Sequence, residues 1–263
     1  MLRTGARIAV IAPSGAFDAA RLARGVALVT SWGYRVEVLE GASSRWRYLA
    51  GTDETRLCDL HFAFSGAYDA VWMARGGYGI ARLLPMIDWN ALAPVPFFGF
   101  SDGTGLLNAL VCRGRPAVHA PVLHSLAELD EASQTRMREL LAGADVAPIA
   151  PGLPNVPVRG GNLCVLASLC GTAFQLDARG AIVLLEDLGE VPYKLDRLTT
   201  QLLLSGALDG AVGVVCGDML DAAAPDGADW AVRDLFEERL GSRLLAWGVP
   251  VGHGLRNHAM RFS

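Results

Sequence analysis

The sequence predicts an α/β protein: a mostly parallel sheet with helices on both faces, then a second, smaller unit. Three observations predict it. Strand and helix signals alternate through the first half of the chain, which parallel strands joined by crossover helices accommodate. Near Gly143 the stretch GADVAPIAPGLPNVPV breaks that pattern with four prolines and no helical period. Beyond it, strand and helix signals resume. This divides the chain into residues 1–142, a linker at 143–158 and a unit at 159–263.

The elements follow in order. Arg7–Ala12 reads as a buried strand from its Ile/Val run. Ala19–Trp32 reads as a helix, with Leu22, Val26 and Val29 on one face and Gly33 just past its end. Tyr34–Leu39 alternates apolar and charged residues as a second strand. Thr52 can cap a helix that runs to Phe64 and stops at Gly66. Ala70–Ala74 is a third strand and leads directly into Arg75-Gly76-Gly77-Tyr78-Gly79. Val95–Phe100 is a fourth, followed by a helix from about Thr104 to Cys112. After the linker come Arg159-Gly160-Gly161-Asn162-Leu163 and an apolar helix. A strand at Ala181–Leu185, a helix near Leu195–Leu204 and a strand at Val212–Cys216 complete the reading.

Composition narrows the function. With 263 residues, 52% hydrophobic and 19% charged, the chain can build a real core and is not disordered. A net charge of −4 supplies neither a nucleic-acid footprint nor a basic patch for an anionic membrane. Ile8–Ala12 is too short for the core of a signal peptide and ends in the turn Pro13-Ser14-Gly15. No apolar stretch approaches the ~20 residues of a membrane span. The cysteines, Cys58, Cys112, Cys164, Cys170 and Cys216, are odd in number and widely spaced. They suit neither a disulfide framework nor a metal site, and a reducing cytoplasmic compartment is expected.

The strongest local signal is Gly99-x-Ser101-x-Gly103, set between a predicted strand and a predicted helix. A sharp strand-to-helix turn lifts a serine hydroxyl clear of the backbone, and the helix start behind it favours developing negative charge. Taken alone, the pentapeptide more often marks an ordinary turn. A nucleophilic serine needs a base and an orienting acid. Of the histidines, His61 falls in a helix, His119 and His124 flank Pro121, and His258 is near the terminus. His253 follows a predicted apolar strand at Val249–Val251, in a glycine-flanked turn, free to face a cleft. For the acid, Glu186 ends the buried strand, where an unpaired carboxylate would cost several kcal/mol. Asp187 and Glu190 compete with it. The glycine-rich turn at Gly76–Gly79 can expose backbone N–H groups to a phosphate or an oxyanion. Arg82 stands where a dinucleotide fingerprint needs a third glycine.

Taken together, these segments resemble the LD-carboxypeptidase family, the muramoyltetrapeptide carboxypeptidases. The resemblance runs through Ile8–Gly15, Ala74–Gly79 with Arg82-Leu83-Leu84 and Ile87-Asp88, then Gly99-Phe100-Ser101-Asp102. It continues through Gly160-Gly161-Asn162-Leu163, Leu185-Glu186-Asp187 and Gly252-His253, in the family's order. It implies Ser101 as nucleophile, His253 as base and Glu186 as orienting acid. It also implies an oxyanion hole from the backbone N–H groups of Gly77 (or its neighbour Gly76) and Asp102. The implied fold is a flavodoxin-like domain plus a smaller β-rich domain, with the active site in the cleft between them. The implied enzyme is a metal-free, cofactor-free cytoplasmic homodimer acting on muropeptides in cell-wall recycling, with D-alanine leaving an L-configured diamino-acid centre. Arg75, Arg82, Arg159, Lys194 and Arg197 lie near motif segments and are the cations available to read the substrate's terminal carboxylate. Family members continue past the Gly-His pair into further strands, whereas ten residues follow His253 here.

Three rivals stand against this reading. Microcin-immunity-type relatives cleave a peptidyl-nucleotide and carry tryptophan-bearing loop sequence near the acid, but Glu186–Tyr193 contains no tryptophan. An α/β-hydrolase esterase shares Gly-x-Ser-x-Gly but has no use for the Gly-Gly-Asn-Leu segment. A nucleotide- or sugar-binding module without chemistry, such as an inactive homologue, would use only the Gly-rich turn.

Overall fold

The computed structural model describes residues 2–263. Its first sheet is built from β1 (Arg7–Ile11), β2 (Arg35–Val38), β3 (Ala70–Met73), β4 (Phe97–Gly99) and β5 (Ala117–His119). Between them run α1 (Ala19–Ser31), α2 (Asp53–Ala63), α3 (Ile80–Leu83) and α4 (Thr104–Val111), and after β5 come α5 (Leu123–Leu126) and α6 (Glu131–Ala142). These five strands pair in parallel in the order β2-β1-β3-β4-β5, the flavodoxin-like arrangement. Asp18 caps α1 through the Arg21 N–H, and Thr52 caps α2 through the Thr55 N–H.

The second sheet is wholly parallel and contains β6 (Val158–Asn162), β7 (Ile182–Leu188), β8 (Gly213–Leu220) and β9 (Leu244–Trp247), in that order. Its helices are α7 (Leu163–Ser168), α8 (Pro192–Leu204) and α9 (Val232–Leu240). The last element, β10 (Met260–Phe262), crosses back and pairs antiparallel with β5 at the edge of the first sheet. Residues 159–263 therefore do not close on themselves, because Met260 and Phe262 are buried against the first unit.

Alternation along the buried strands sorts the core into layers. Ile8, Val10, Trp72, Phe98 and Val118 face α1, α5 and α6. Ala9, Ile11, Val71, Met73 and Phe97 face the other way, onto α2, α3 and α4, and there they meet Ile182, Leu184 and Val215 of the second sheet. Val183, Leu185, Val214 and Cys216 then face α7, α8 and α9. All eight residues of α4 are buried, since it lies between the two sheets.

Arg159–Asn162 is strand despite its two glycines. Gly160 and Gly161 hold φ of +107° and +123°, and each lies against another chain segment. A Cβ on Gly160 would sit 2.3 Å from the Leu184 carbonyl oxygen, and one on Gly161 would sit 2.4 Å from Thr104 Oγ1. Glycine within a strand marks such an approach. Conversely, the apolar run Val249–Val251 is not a strand. Gly248 at φ +72° ends β9, and Pro250 lacks the N–H that a ladder needs. The Val249 N–H to Cys216 carbonyl and Asp218 N–H to Val251 carbonyl bonds tie this run to β8.

Candidate active site

The carboxyl ends of the strands in both sheets converge on one cleft of about 740 Å³, lined by Gly76, Gly77, Ser101, Asp102, Asn162, Asp187 and His253 among others. Open α/β sheets bind ligands at such ends, where strand order reverses. Here the reversal falls between β1 and β3.

Ser101 follows β4 at once. Phe100 is extended, Ser101 takes φ +59°, and a single turn of 3-10 helix leads into α4. A left-handed serine is uncommon, and at a strand-to-helix turn it is the geometry that exposes a nucleophile. The turn after β3 presses on it: a Cβ on Gly76 would lie 2.8 Å from both Cβ and Oγ of Ser101. The Asp102 side chain holds the elbow from below. Buried, it accepts hydrogen bonds from Ser14 Oγ and from the Ile80 N–H at 2.9 Å. This binds the Pro13-Ser14-Gly15 turn, the elbow and the start of α3 into one unit.

From the second sheet comes Glu186, fully buried on β7 at a shift in register between Leu185 and Asp187. Such irregularities re-aim side chains near active sites. Glu186 Oε2 lies 2.8 Å from His253 Nδ1, and His253 Nε2 lies 3.1 Å from Ser101 Oγ. His253 rests on the Phe100 ring, centroid to centroid 4.4 Å. Burial alone would favour the neutral imidazole. The hydrogen bond and charge of Glu186 outweigh it and hold the ring's pKa above the ordinary 6.5. Burial pushes the Glu186 carboxyl up, opposed by its bond to His253.

The competing carboxylates are otherwise engaged. Asp187 Oδ1 accepts from Asn162 Nδ2 at 3.1 Å and the Leu188 N–H at 2.9 Å, while Oδ2 accepts from the Cys164 N–H at 2.8 Å. It thereby fixes the start of α7. Glu190 lies 3.4 Å from Lys194. Among the other histidines, His119 is fully buried behind Phe100, its pKa pushed down to about 3 by burial. His61 Nε2 accepts from the Asp88 N–H and is structural. His124 lies at the cleft's edge, and His258 donates its backbone N–H to Pro250.

Sequence reasoning missed what aligns the two units. Asn108 on α4 donates from Nδ2 to the Gly160 carbonyl at 2.8 Å and accepts from the Gly160 N–H at 3.0 Å. Thr104 Oγ1 accepts from the Asn162 N–H at 2.9 Å. Both side chains are buried. The helix that follows the serine is thus bonded to the strand beside the glutamate. The paired glycines of β6 were the available signal for this close approach.

Among the described residues, no group of three or more His, Cys, Asp or Glu side chains is arranged to hold a metal ion, and no helix is long and apolar enough to cross a membrane.

Known proteins share this sequence pattern and fold. The family model of the LD-carboxypeptidase N-terminal domain matches residues 8–120, and that of the C-terminal domain matches residues 156–262. A murein tetrapeptide carboxypeptidase of Pseudomonas aeruginosa is 36% identical over 281 residues, covering 98% of this chain and 91% of that protein. A putative carboxypeptidase of Synechocystis is 38% identical over 268 residues, covering 96% and 88%. The crystal structure of muramoyltetrapeptide carboxypeptidase from Oxalobacter formigenes superimposes with a TM-score of 0.85 at 27% identity, over 98% of this chain and 92% of that one. The microcin C7 self-immunity protein MccF shares the fold, with a TM-score of 0.86 at 19% identity, over 100% and 92%.

Proposed function

This chain belongs to the LD-carboxypeptidase family of serine peptidases, and on that premise we propose that it releases the terminal D-alanine of a muropeptide by a Ser101–His253–Glu186 triad. The observation that carries the proposal is the continuous hydrogen-bonded line from Glu186 Oε2 through the imidazole to Ser101 Oγ. Ser101 attacks the carbonyl of the L-configured diamino-acid centre, and His253 Nε2 takes the hydroxyl proton. Glu186 holds Nδ1–H and stabilises the imidazolium. The tetrahedral oxyanion is met by backbone N–H groups of Gly77 and Asp102, a role supported by the press of the Gly-rich turn against Ser101. His253 then protonates the leaving amine of D-alanine, and water cleaves the acyl-enzyme by the reverse sequence.

The resemblance further suggests work in cell-wall recycling, in the cytoplasm and as a homodimer. The five unpaired cysteines fit a reducing compartment. The immunity-type alternative uses the same catalytic groups. Against it, the three residues 189–191 that join β7 to α8 leave no room for an added loop.

The test compares two muropeptide tetrapeptides that differ only in D- or L-alanine at the end, reading alanine release. Cleavage of the D-form alone is expected. Equal cleavage, or preference for the L-form, removes the LD-carboxypeptidase reading. Hydrolysis of an acyl-adenylate amide with neither peptide cleaved moves the chain to the immunity-type reaction.

A further inference from the structure

We propose that Arg75 reads the free carboxylate of the substrate's terminal residue; the inference rests on the carboxypeptidase reading and names a specificity determinant within it. An enzyme that removes one C-terminal residue meets a carboxylate about 4 Å along the chain from the scissile carbonyl. Arginine suits that group, because its planar fork can donate two parallel hydrogen bonds to a carboxylate.

The structure separates the available cations. Arg82 donates through Nε and Nη2 to Asp53. Arg159 donates to the carbonyls of Ser263 and Asp177 and pairs with the Asp177 carboxylate. Lys194 faces Glu190. Arg197 lies over the Tyr193 ring and lines a different depression. Two arginines line the catalytic cleft. Of these, Arg21 is engaged by Glu128 through Nε and Nη2. Arg75 forms no ion pair among the described residues, and Nη1 donates to a neutral acceptor, the Ala16 carbonyl.

Its position fits the task. Arg75 directly precedes Gly76, the residue pressed against Ser101, so cation and nucleophile share one wall of the cleft. The bond to Ala16 pins the guanidinium beside the Gly15 turn, where a Cβ on Gly15 would lie 3.5 Å from Nη1. The carboxylates that also line the cleft, Asp187 and Glu190, are held by Asn162, backbone N–H groups and Lys194. Arg75 is thus, among the described residues, the lining cation free of a carboxylate partner, and a terminal carboxylate drawn to it fixes the direction in which the peptide lies.

The experiment crosses a change in the enzyme with a change in the substrate. Wild type, Arg75→Gln and Arg75→Lys are assayed on a tetrapeptide ending in free D-alanine and on its C-terminal amide. A charge-assisted hydrogen bond predicts that wild type prefers the acid by roughly 10- to 100-fold in kcat/KM, mainly through KM. Arg75→Gln cleaves acid and amide alike, and Arg75→Lys restores part of the preference. An Arg75→Gln variant that keeps the acid preference, or that slows both substrates by the same factor, overturns the assignment and leaves the carboxypeptidase reading standing. A wild type that cleaves neither substrate refutes that reading, and Arg75's role with it.

Discussion

Replacing Glu186 with glutamine tests the site's electrostatics most directly. The change keeps side-chain volume and removes one charge from a fully buried position 2.8 Å from His253 Nδ1. In the proposed mechanism, when His253 takes the serine proton, Glu186 stabilises the new charge. Two unit charges ~4 Å apart attract by about 4 kcal/mol at an effective dielectric of ~20. At about 1.36 kcal/mol per tenfold, that is roughly a thousandfold in rate. A second cost adds to it. If the amide offers its N–H₂ to Nδ1, the imidazole proton moves to Nε2, and the ring can no longer accept from Ser101. If it turns the other way, the N–H₂ occupies the site of Oε1, which is buried with no partner. A loss of about 10³ to 10⁴ in kcat with little change in KM is expected, read by continuous assay of D-alanine release. Asp187→Asn removes a carboxylate that holds the start of α7 and is not bonded to His253. It should lower Tm while keeping kcat within about tenfold, since a weakened buried hydrogen bond costs on the order of 1–3 kcal/mol of stability. A dead Asp187→Asn variant beside an active Glu186→Gln variant would refute the reasoning.

Ser101→Ala should lower kcat by at least ~10³-fold with an unchanged far-UV spectrum, because triad members act as a unit; near-wild-type turnover of the folded variant would exclude it as nucleophile. The acid limb of kcat/KM should titrate above 6.5, since His253 must lose its proton to act and Glu186 favours the protonated form. Activity then rises with pH through that value, and Glu186→Gln should move the limb to lower pH; an unmoved limb would show that another group sets it. A chelator should leave turnover intact, and loss in EDTA reversed by a divalent ion would reject the metal-free serine mechanism. Gly76→Ala places a methyl group 2.8 Å from Ser101 Oγ at a residue whose φ is not positive. It should cost about 100-fold in kcat through displacement of the nucleophile, with little change in Tm; full activity would mean that the turn is not seated as described.

The parts of the fold with a strong local cause were legible in the sequence. The apolar runs of β1, β3 and β7 and the capped helices α1 and α2 agree with their predicted spans to within a few residues. Ser101 and His253 could be singled out because glycines flank both, and Glu186 because a carboxylate ending an apolar strand needs a reason. What stayed hidden is set by distant partners. β6 carries two glycines that contradict strand propensity, and their use becomes visible only when Leu184 and Thr104 stand beside them. β10 is three residues whose sole argument for being a strand is the exposed edge of β5. The choice among Glu186, Asp187 and Glu190 could not be read from adjacency. It depends on an irregular β7–β8 register that turns Glu186 toward His253, while Asp187 meets the start of α7.

The proposed triad spans two sheets, so its geometry is only as firm as the contact between them. Ser101 stands on the first unit, and Glu186 and His253 on the second. Three devices hold them in register. Helix α4 is buried on every face between the sheets, Asn108 exchanges two hydrogen bonds with Gly160, and β10 returns from the histidine's segment to the edge strand β5. Each lies near a proposed catalytic side chain: Thr104 and Asn108 lie on the helix that follows Ser101, Asn162 pairs in register with Glu186, and Met260 follows His253 in the segment that returns to β5. The bonds that dock the two units are therefore also the bonds that set the Ser101–His253 distance. This explains why residues so far apart in sequence can meet at 3.1 Å.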